Sequence, residues 1–283
     1  MPKKTIGLGA LFFVFLLSVI IGGIRTYAGI KSSSKMPMSN NSTSETLPES
    51  KNNKLEKTDV SESPAVPVLY YHSIMREAGN EVRMPPDQFE AQMAFLHDQG
   101  FQSVTLNQLY QAKYLKGPLP NKAFVITFDD GYVDNYTTAF PILKKYGFVA
   151  AVFMVSSYTN GEGFMSWSQL QELIANGWEI ESHSANHPYL STMNAAALLS
   201  EVKSPKKLLE KELGRTVNFF AYPYGDYDDD VVLAVKNAGY LMAFTTERGW
   251  ADQQTDAWHT HRVYCFANMG MNEFMRRIQN PNY

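Results

Sequence analysis

Two carboxylates stand side by side at Asp129 and Asp130, after the apolar run AFVITF at residues 123 to 128 and just before Gly131. If both are ionised and about 5 Å apart, they repel by roughly 3 kcal/mol at an effective dielectric near 20, so a positive group should offset them. On TFDDG alone, a solvated Asp-Gly turn explains the pair equally well. The segment HSANH changes that balance. His183 and His187 lie four residues apart, a spacing that can put both imidazoles on one face of a helical turn, where they can share a metal. By themselves two such histidines fit capping or core roles about as well. Joined to a strand-end carboxylate, they make a His2Asp set with one coordination position left for water, as catalytic zinc sites have. One aspartate would then bind the cation and the other would serve as general base. A glycosidase reading fits worse, because it needs carboxylates flanking a sugar bond, about 5 to 9 Å apart.

These residues need a scaffold that brings distant segments together. Short apolar runs at 66–71, 123–128, 149–155, 178–182, 217–222, 240–246 and 261–266 read as strands. Helical patterns at 89–99, 106–115, 166–176, 195–213 and 228–239 alternate with them. Phe89, Met93 and Leu96 recur at helical spacing, and Gly177 and Gly239 follow helices as stop signals. Apolar strands alternating with helices predict a parallel sheet buried on both faces. The number of such units predicts an α/β fold, an irregular (β/α)7 barrel. In such barrels chemistry sits in the loops after the strands. Asp129 and Asp130, His183 and His187, and the stretch Tyr222-Pro223-Tyr224-Gly225 each follow a strand, so three polar clusters converge on one face.

Composition narrows the partners. With 45% hydrophobic and 19% charged residues the 283-residue chain is an ordinary globular protein, and a net charge of -3 supplies no excess of cations for nucleic acid. A lone Cys265 excludes an intrachain disulfide framework and a multi-cysteine zinc site. The uncharged run from Ile6 to Ile24 is about long enough to cross a bilayer. Residues 1–30 therefore read as a signal anchor, with Thr26-Tyr-Ala28 a weak cleavage site that would release a secreted form. Residues 31–64, rich in serine and without aromatics, read as a disordered tether. Residues 65–283 form the catalytic domain, expected on the extracytoplasmic face of the cell membrane. Arg25, Lys31 and Lys35 follow the span while Lys3 and Lys4 precede it, so charge alone does not fix the orientation.

TFDDG, HSANH and AYPYG, in this order and strand context, resemble the first three motifs of the polysaccharide deacetylases, carbohydrate esterase family 4 or the NodB homology domain. The resemblance covers about residues 65 to 266. It implies that Asp129 is the catalytic base and that Asp130, His183 and His187 are ligands of a divalent metal. The His2Asp set suits zinc and also cobalt, nickel or manganese. The resemblance also implies that Pro223 and Tyr224 belong to the substrate groove, with the Tyr224 N–H helping to hold an oxyanion. The chain departs from the family in two places. The arginine that commonly opens the third motif is replaced by Ala221, for which Arg262 could substitute from the next strand. The late Leu-x-x-His motif that carries the general acid is absent, leaving His72 as the candidate donor with His259 and His261 behind it.

For His72 a packed strand-end histidine is the competing reading, and His97 reads as structural. Asp256 with Trp258 resembles the fourth motif only loosely. Trp167 and Tyr132 could stack on sugars or simply pack. The opening PVLYYHSI and the missing motifs resemble the branch of the biofilm intercellular-adhesin deacetylases, which implies poly-β-1,6-N-acetylglucosamine as substrate. Alternatives are a peptidoglycan N-acetylglucosamine deacetylase, an O-acetyl esterase, and a non-catalytic glycan-binding module. The retained Asp129 argues against the last, since binding alone requires no base.

Overall fold

The structure, a computed structural model, describes residues 65–252 and 255–283. The apolar run Ile6 to Ile24 and the tether at 31–64 lie outside the described residues. Among those described, no helix is long and apolar enough to cross a membrane.

Strand β1 (Val68–Tyr71) pairs in parallel with both β3 (Ala123–Asp130) and β8 (Thr260–Tyr264). That double pairing closes a ring through β4 (Ala151–Met154), β5 (Glu179–Ser182), β6 (Phe219–Ala221) and β7 (Met242–Arg248). The expected (β/α)7 barrel is what forms, with seven parallel strands. A two-residue strand, β2 (Gln102–Ser103), adds to the first residues of β3. It is too short to leave a pattern in the sequence.

Strand alternation divides the apolar residues into two cores. Val68, Val125, Ala151, Phe153, Phe219 and Phe244 fill the barrel interior. Leu69, Ile126, Phe128, Val152, Met154 and Phe220 face the surrounding helices. Those helices are α1 (Pro86–Asp98), α2 (Leu106–Leu115), α3 (Phe140–Lys145), α4 (Trp167–Ala175), α5 (Ala195–Leu213), α6 (Asp229–Asn237) and α7 (Gly270–Gln279). Local chemistry fixes their ends. Thr105 with Gln108, and Ser166 with Gln169, form reciprocal capping boxes at α2 and α4. Asn194 caps α5, which continues through Pro205 and stops at the left-handed Gly214.

The sequence pattern left out α3 and α7. The first is six residues long and grows directly from a π-helical turn at Asn135–Ala139, so no sustained helical period precedes it.

Candidate active site and metal centre

Strand β3 runs past Phe128 to include both aspartates. By alternation Asp129 shares the inward face with Val125 and Thr127, and it is 2% exposed. The next residue should turn outward with Phe128. Instead Asp130 adopts φ 73° and Gly131 φ 89°, which breaks the alternation. The Gly131 φ strains any residue with a Cβ, and a Cβ on Gly131 would also press on the end of the Met154 side chain.

The HSANH segment is not the helical turn that its spacing allows. His183 continues from β5, and the chain then bends through left-handed backbone at Ser184 (φ 68°) and His187 (φ 60°). The His187 N–H donates to the Ser184 hydroxyl at 2.9 Å. Glu201, buried on α5, accepts from the backbone N–H of Ala185 (3.1 Å) and Asn186 (2.9 Å) and from the Asn186 amide (2.6 Å). Left-handed non-glycine residues are costly and persist where surrounding contacts hold them. Here the Glu201 bonds supply such contacts, and the bend still brings the two imidazoles together.

His183 Nδ1 lies 2.7 Å from the Ala221 carbonyl, which can only accept, so Nδ1 carries the proton and Nε2 presents its lone pair. His187 Nε2 is 3.1 Å from that atom, and Asp130 Oδ1 is 3.6 Å and 3.4 Å from the two nitrogens. Asp130 Oδ1 is buried and without a hydrogen-bond partner. Three electron-rich atoms facing one another in a buried corner call for a cation. Donors bonded at about 2.0–2.2 Å around a tetrahedral ion lie roughly 3.3–3.6 Å apart, close to the separations found here. The residues therefore fit a divalent metal, and their oxygen and imidazole donors do not single out one ion.

Electrostatics separate the two aspartates. Burial alone would raise the Asp129 carboxyl, but the charge of Arg262 more than offsets it and holds Asp129 at about 2. Burial and the neighbouring Asp129 charge push Asp130 up to about 7, which a bound cation would reverse. Burial lowers His183 to about 3 and also lowers His187 and His72, so all three rings favour the neutral form.

Arg262 comes from β8 and is fully buried. Its Nη1 and Nη2 donate to Asp129 Oδ1 and Oδ2, each at 2.8 Å, and its Nε donates to the Thr245 carbonyl at 3.0 Å. The guanidinium also sits 4.2 Å from the centre of the Tyr70 ring.

A cleft of about 440 Å³ opens over these groups, and its walls include His72, Tyr132, Phe164 and Tyr224. His72 follows β1; its Nδ1 is buried without a partner. Tyr224 follows β6 at φ 59°, its ring against His187 at 4.3 Å and stacked on Tyr189 at 4.2 Å. Pro223 is buried beneath this turn and is not part of the cleft wall; its carbonyl accepts from Asp226 N at 2.9 Å. Tyr132 does reach the cleft, stacked on Phe164 at 5.2 Å.

Other candidates lie elsewhere. His259 pairs with Asp256 at 2.8 Å and His261 with Glu247 at 3.1 Å, and neither lines the cleft. Both make these contacts away from the cleft, which removes them as reserve donors. Asp256 also caps the Trp258 N–H at 2.7 Å. Trp167 packs on the core, and His97 pairs with Asp98 on α1. The spacing of residues along the chain holds no sign of Glu201. Asp134 and Asn135, also absent from the sequence reading, follow TFDDG within a few residues and are buried. Buried polar side chains so close to the motif were the available signal.

Residues 116–243 match the family model described as polysaccharide deacetylase. The chain is 35% identical over 220 residues to YxkH of Bacillus subtilis (strain 168), which is named for the same family, covering 77% of this chain and 78% of that one. It is 29% identical over 210 residues to the poly-β-1,6-N-acetyl-D-glucosamine N-deacetylase of Staphylococcus aureus (strain MRSA252), covering 69% and 71% of the two chains. Among solved structures, the Streptococcus pyogenes deacetylase PplD in complex with acetate superposes with a TM-score of 0.72 at 26% identity, covering 77% of this chain and 99% of that one.

Proposed function

The chain belongs to the polysaccharide deacetylase family, and we propose that it is a metal-dependent enzyme removing N-acetyl groups from N-acetylglucosamine units of a cell-surface polysaccharide. One observation carries this reading: the three-donor corner of Asp130, His183 and His187 lies directly beside an Asp129 that takes no part in it. The proposed polymer is poly-β-1,6-N-acetylglucosamine, supported by the similarity to a deacetylase named for that substrate. The apolar run Ile6 to Ile24 supports a membrane-tethered enzyme working outside the cytoplasm, where such polymers lie.

Asp130, His183 and His187 would hold the ion, which when bound supplies Lewis acidity toward the scissile carbonyl. Asp129 takes a proton from the water that attacks the acetamide carbon. The two bonds from Arg262 fix the plane of its carboxylate and keep it ionised for that role. A carboxylate held at about 2 is a weak base, so it retains the proton only briefly. Tyr224, in its left-handed turn at the cleft wall, offers its backbone N–H to the charge that develops on the carbonyl oxygen. His72 delivers a proton to the departing nitrogen as the C–N bond breaks. The products are acetic acid and a free amine, which separate as acetate and an ammonium ion: one proton of the water reaches the nitrogen through Asp129 and His72, and the second, left on the acid, passes to the amine.

The experiment is amine release by the purified full chain, supplied with a divalent ion, on β-1,6-linked N-acetylglucosamine oligomers and on peptidoglycan fragments. The proposal expects release from the oligomers, lost on Asp129→Asn with the ion still bound. Release from peptidoglycan alone would move the substrate, and full activity of Asp129→Asn would remove its role as base.

A further inference from the structure

A catalytic histidine is ordinarily aimed by a carboxylate or carbonyl on its second ring nitrogen. His72 has no such partner: Nδ1 is buried and makes no hydrogen bond. Its ring meets the rings of Tyr70 (6.1 Å) and Tyr264 (6.3 Å) edge to face, which limits where it can swing without setting its direction by a hydrogen bond. Its aim has to come from its backbone.

That backbone is held from the segment that follows β3, the strand paired with β1. Asn135 Nδ2 donates to the His72 carbonyl at 2.7 Å and to Asp134 Oδ1 at 3.3 Å. Asp134 accepts from the Ser73 hydroxyl at 2.6 Å and from the Ile74 N–H at 2.7 Å. Three consecutive residues, His72 to Ile74, are thus fixed by two adjacent side chains that are 9% and 0% exposed. Asn135 opens the π-helical turn at Asn135–Ala139, and a wide turn of this kind is often found at functional sites. Ser73 is held on its other side as well, by the Val82 carbonyl, the Met84 N–H and Arg83. The clamp grows from the same segment that carries Asp129 and Asp130, so base, metal ligand and proton donor share one rigid support.

We propose that Asp134 and Asn135 are positioning residues for His72, holding its imidazole where it can give a proton to the departing amine nitrogen. The inference rests on the reading of His72 as that donor. In the step, the proton that Asp129 took from water passes first to the neutral imidazole; the ring then gives it to the nitrogen as the C–N bond breaks, and ends neutral as it began.

The test compares two substrates on the holoenzyme. An N-acetylglucosamine oligomer has a poor leaving group that must be protonated. The ester 4-nitrophenyl acetate releases a stable phenolate and needs no proton donor. Asn135→Asp preserves shape but removes the donor to the His72 carbonyl, and Asp134→Asn keeps an acceptor for Ile74. Asn135→Asp is expected to lower kcat on the oligomer about 10- to 100-fold, the scale of a misplaced catalytic group. KM should stay within about twofold, and ester hydrolysis nearly unchanged, with Asp134→Asn a milder version. His72→Gln should show the same split, and adding Asn135→Asp to it should cost little more.

Two results overturn the proposal, and they differ. If His72→Gln shows the split while Asn135→Asp lowers both substrates equally or neither, the clamp is only structural and the donor stands. If His72→Gln leaves the ratio of the two activities unchanged, the donor reading fails and the clamp with it.

Discussion

Arg262 grips Asp129 through two parallel hydrogen bonds of 2.8 Å, joining β8 to β3 across the closure of the barrel. The arginine that the third motif lacks at Ala221 is thus supplied from a different strand, with its guanidinium beside the same carboxylate. Both partners are buried, so removing one leaves an uncompensated charge. Arg262→Met should lose about 3–5 kcal/mol in denaturant unfolding, with Arg262→Lys between the two because it cannot make both bonds. A loss under about 1 kcal/mol would mean that solvent reaches Asp129.

The same pair fixes an acid limb. Asp129 falls in the native state from 3.8 to about 2, so its contribution to stability is present above 3.8 and is lost as pH falls through about 2. Measured with chelator present, the stability gap between wild type and Arg262→Met should narrow across that window. A gap that stays constant down to pH 2 would contradict the pairing.

Glu181 sets a second pH dependence of opposite sign. It is buried on β5, and burial together with Glu179 pushes it well above the ordinary 4.5. Its native pKa is raised, so the stability tied to it is full below 4.5 and is lost as pH rises through the native value. Its Oε2 accepts from the N–H groups of Asn218 and Phe219 at 2.7 Å each, and glutamine can keep those bonds without charge. Glu181→Gln should melt higher than wild type near pH 8 and converge with it near pH 4. A variant that melts lower than wild type near pH 8 yet matches it near pH 4 would show that the carboxylate is needed ionised.

The turn that carries Tyr224 depends on its neighbour. Gly225 sits at φ 71°, and a Cβ there would overlap the Thr246 side chain. Gly225→Ala should cost more than about 1 kcal/mol in stability and lower kcat by shifting the Tyr224 backbone. Unchanged kcat would place that backbone outside the reaction.

What the sequence revealed and what it hid have physical causes. Apolar runs and strand ends are local, so the barrel, the strand-end place of Asp129 and the convergence of three loops could be read from AFVITFDD, HSANH and AYPYG. Arg262 was legible only through the resemblance, which left Ala221 where an arginine is common and the next strand offering another. The left-handed backbones at Asp130 and His187 were hidden, because neither residue is the glycine that signals such a conformation. Glu201 and the bonds from Asp134 to Ser73 were hidden for another reason. They join side chains far apart in the chain, 61 residues in the second case, and leave no periodic trace. The exposed pairing of His259 and His261 was equally invisible, since a histidine in a strand pattern does not announce which carboxylate it meets.

The most direct test of the metal centre is elemental analysis of the purified chain after equilibration with a divalent ion and removal of excess. Wild type and Asp129→Asn should each retain a single ion per chain, while His183→Ala and Asp130→Asn should retain none. Wild type that binds no ion, or His183→Ala that binds as much as wild type, would contradict a metal centre at Asp130, His183 and His187.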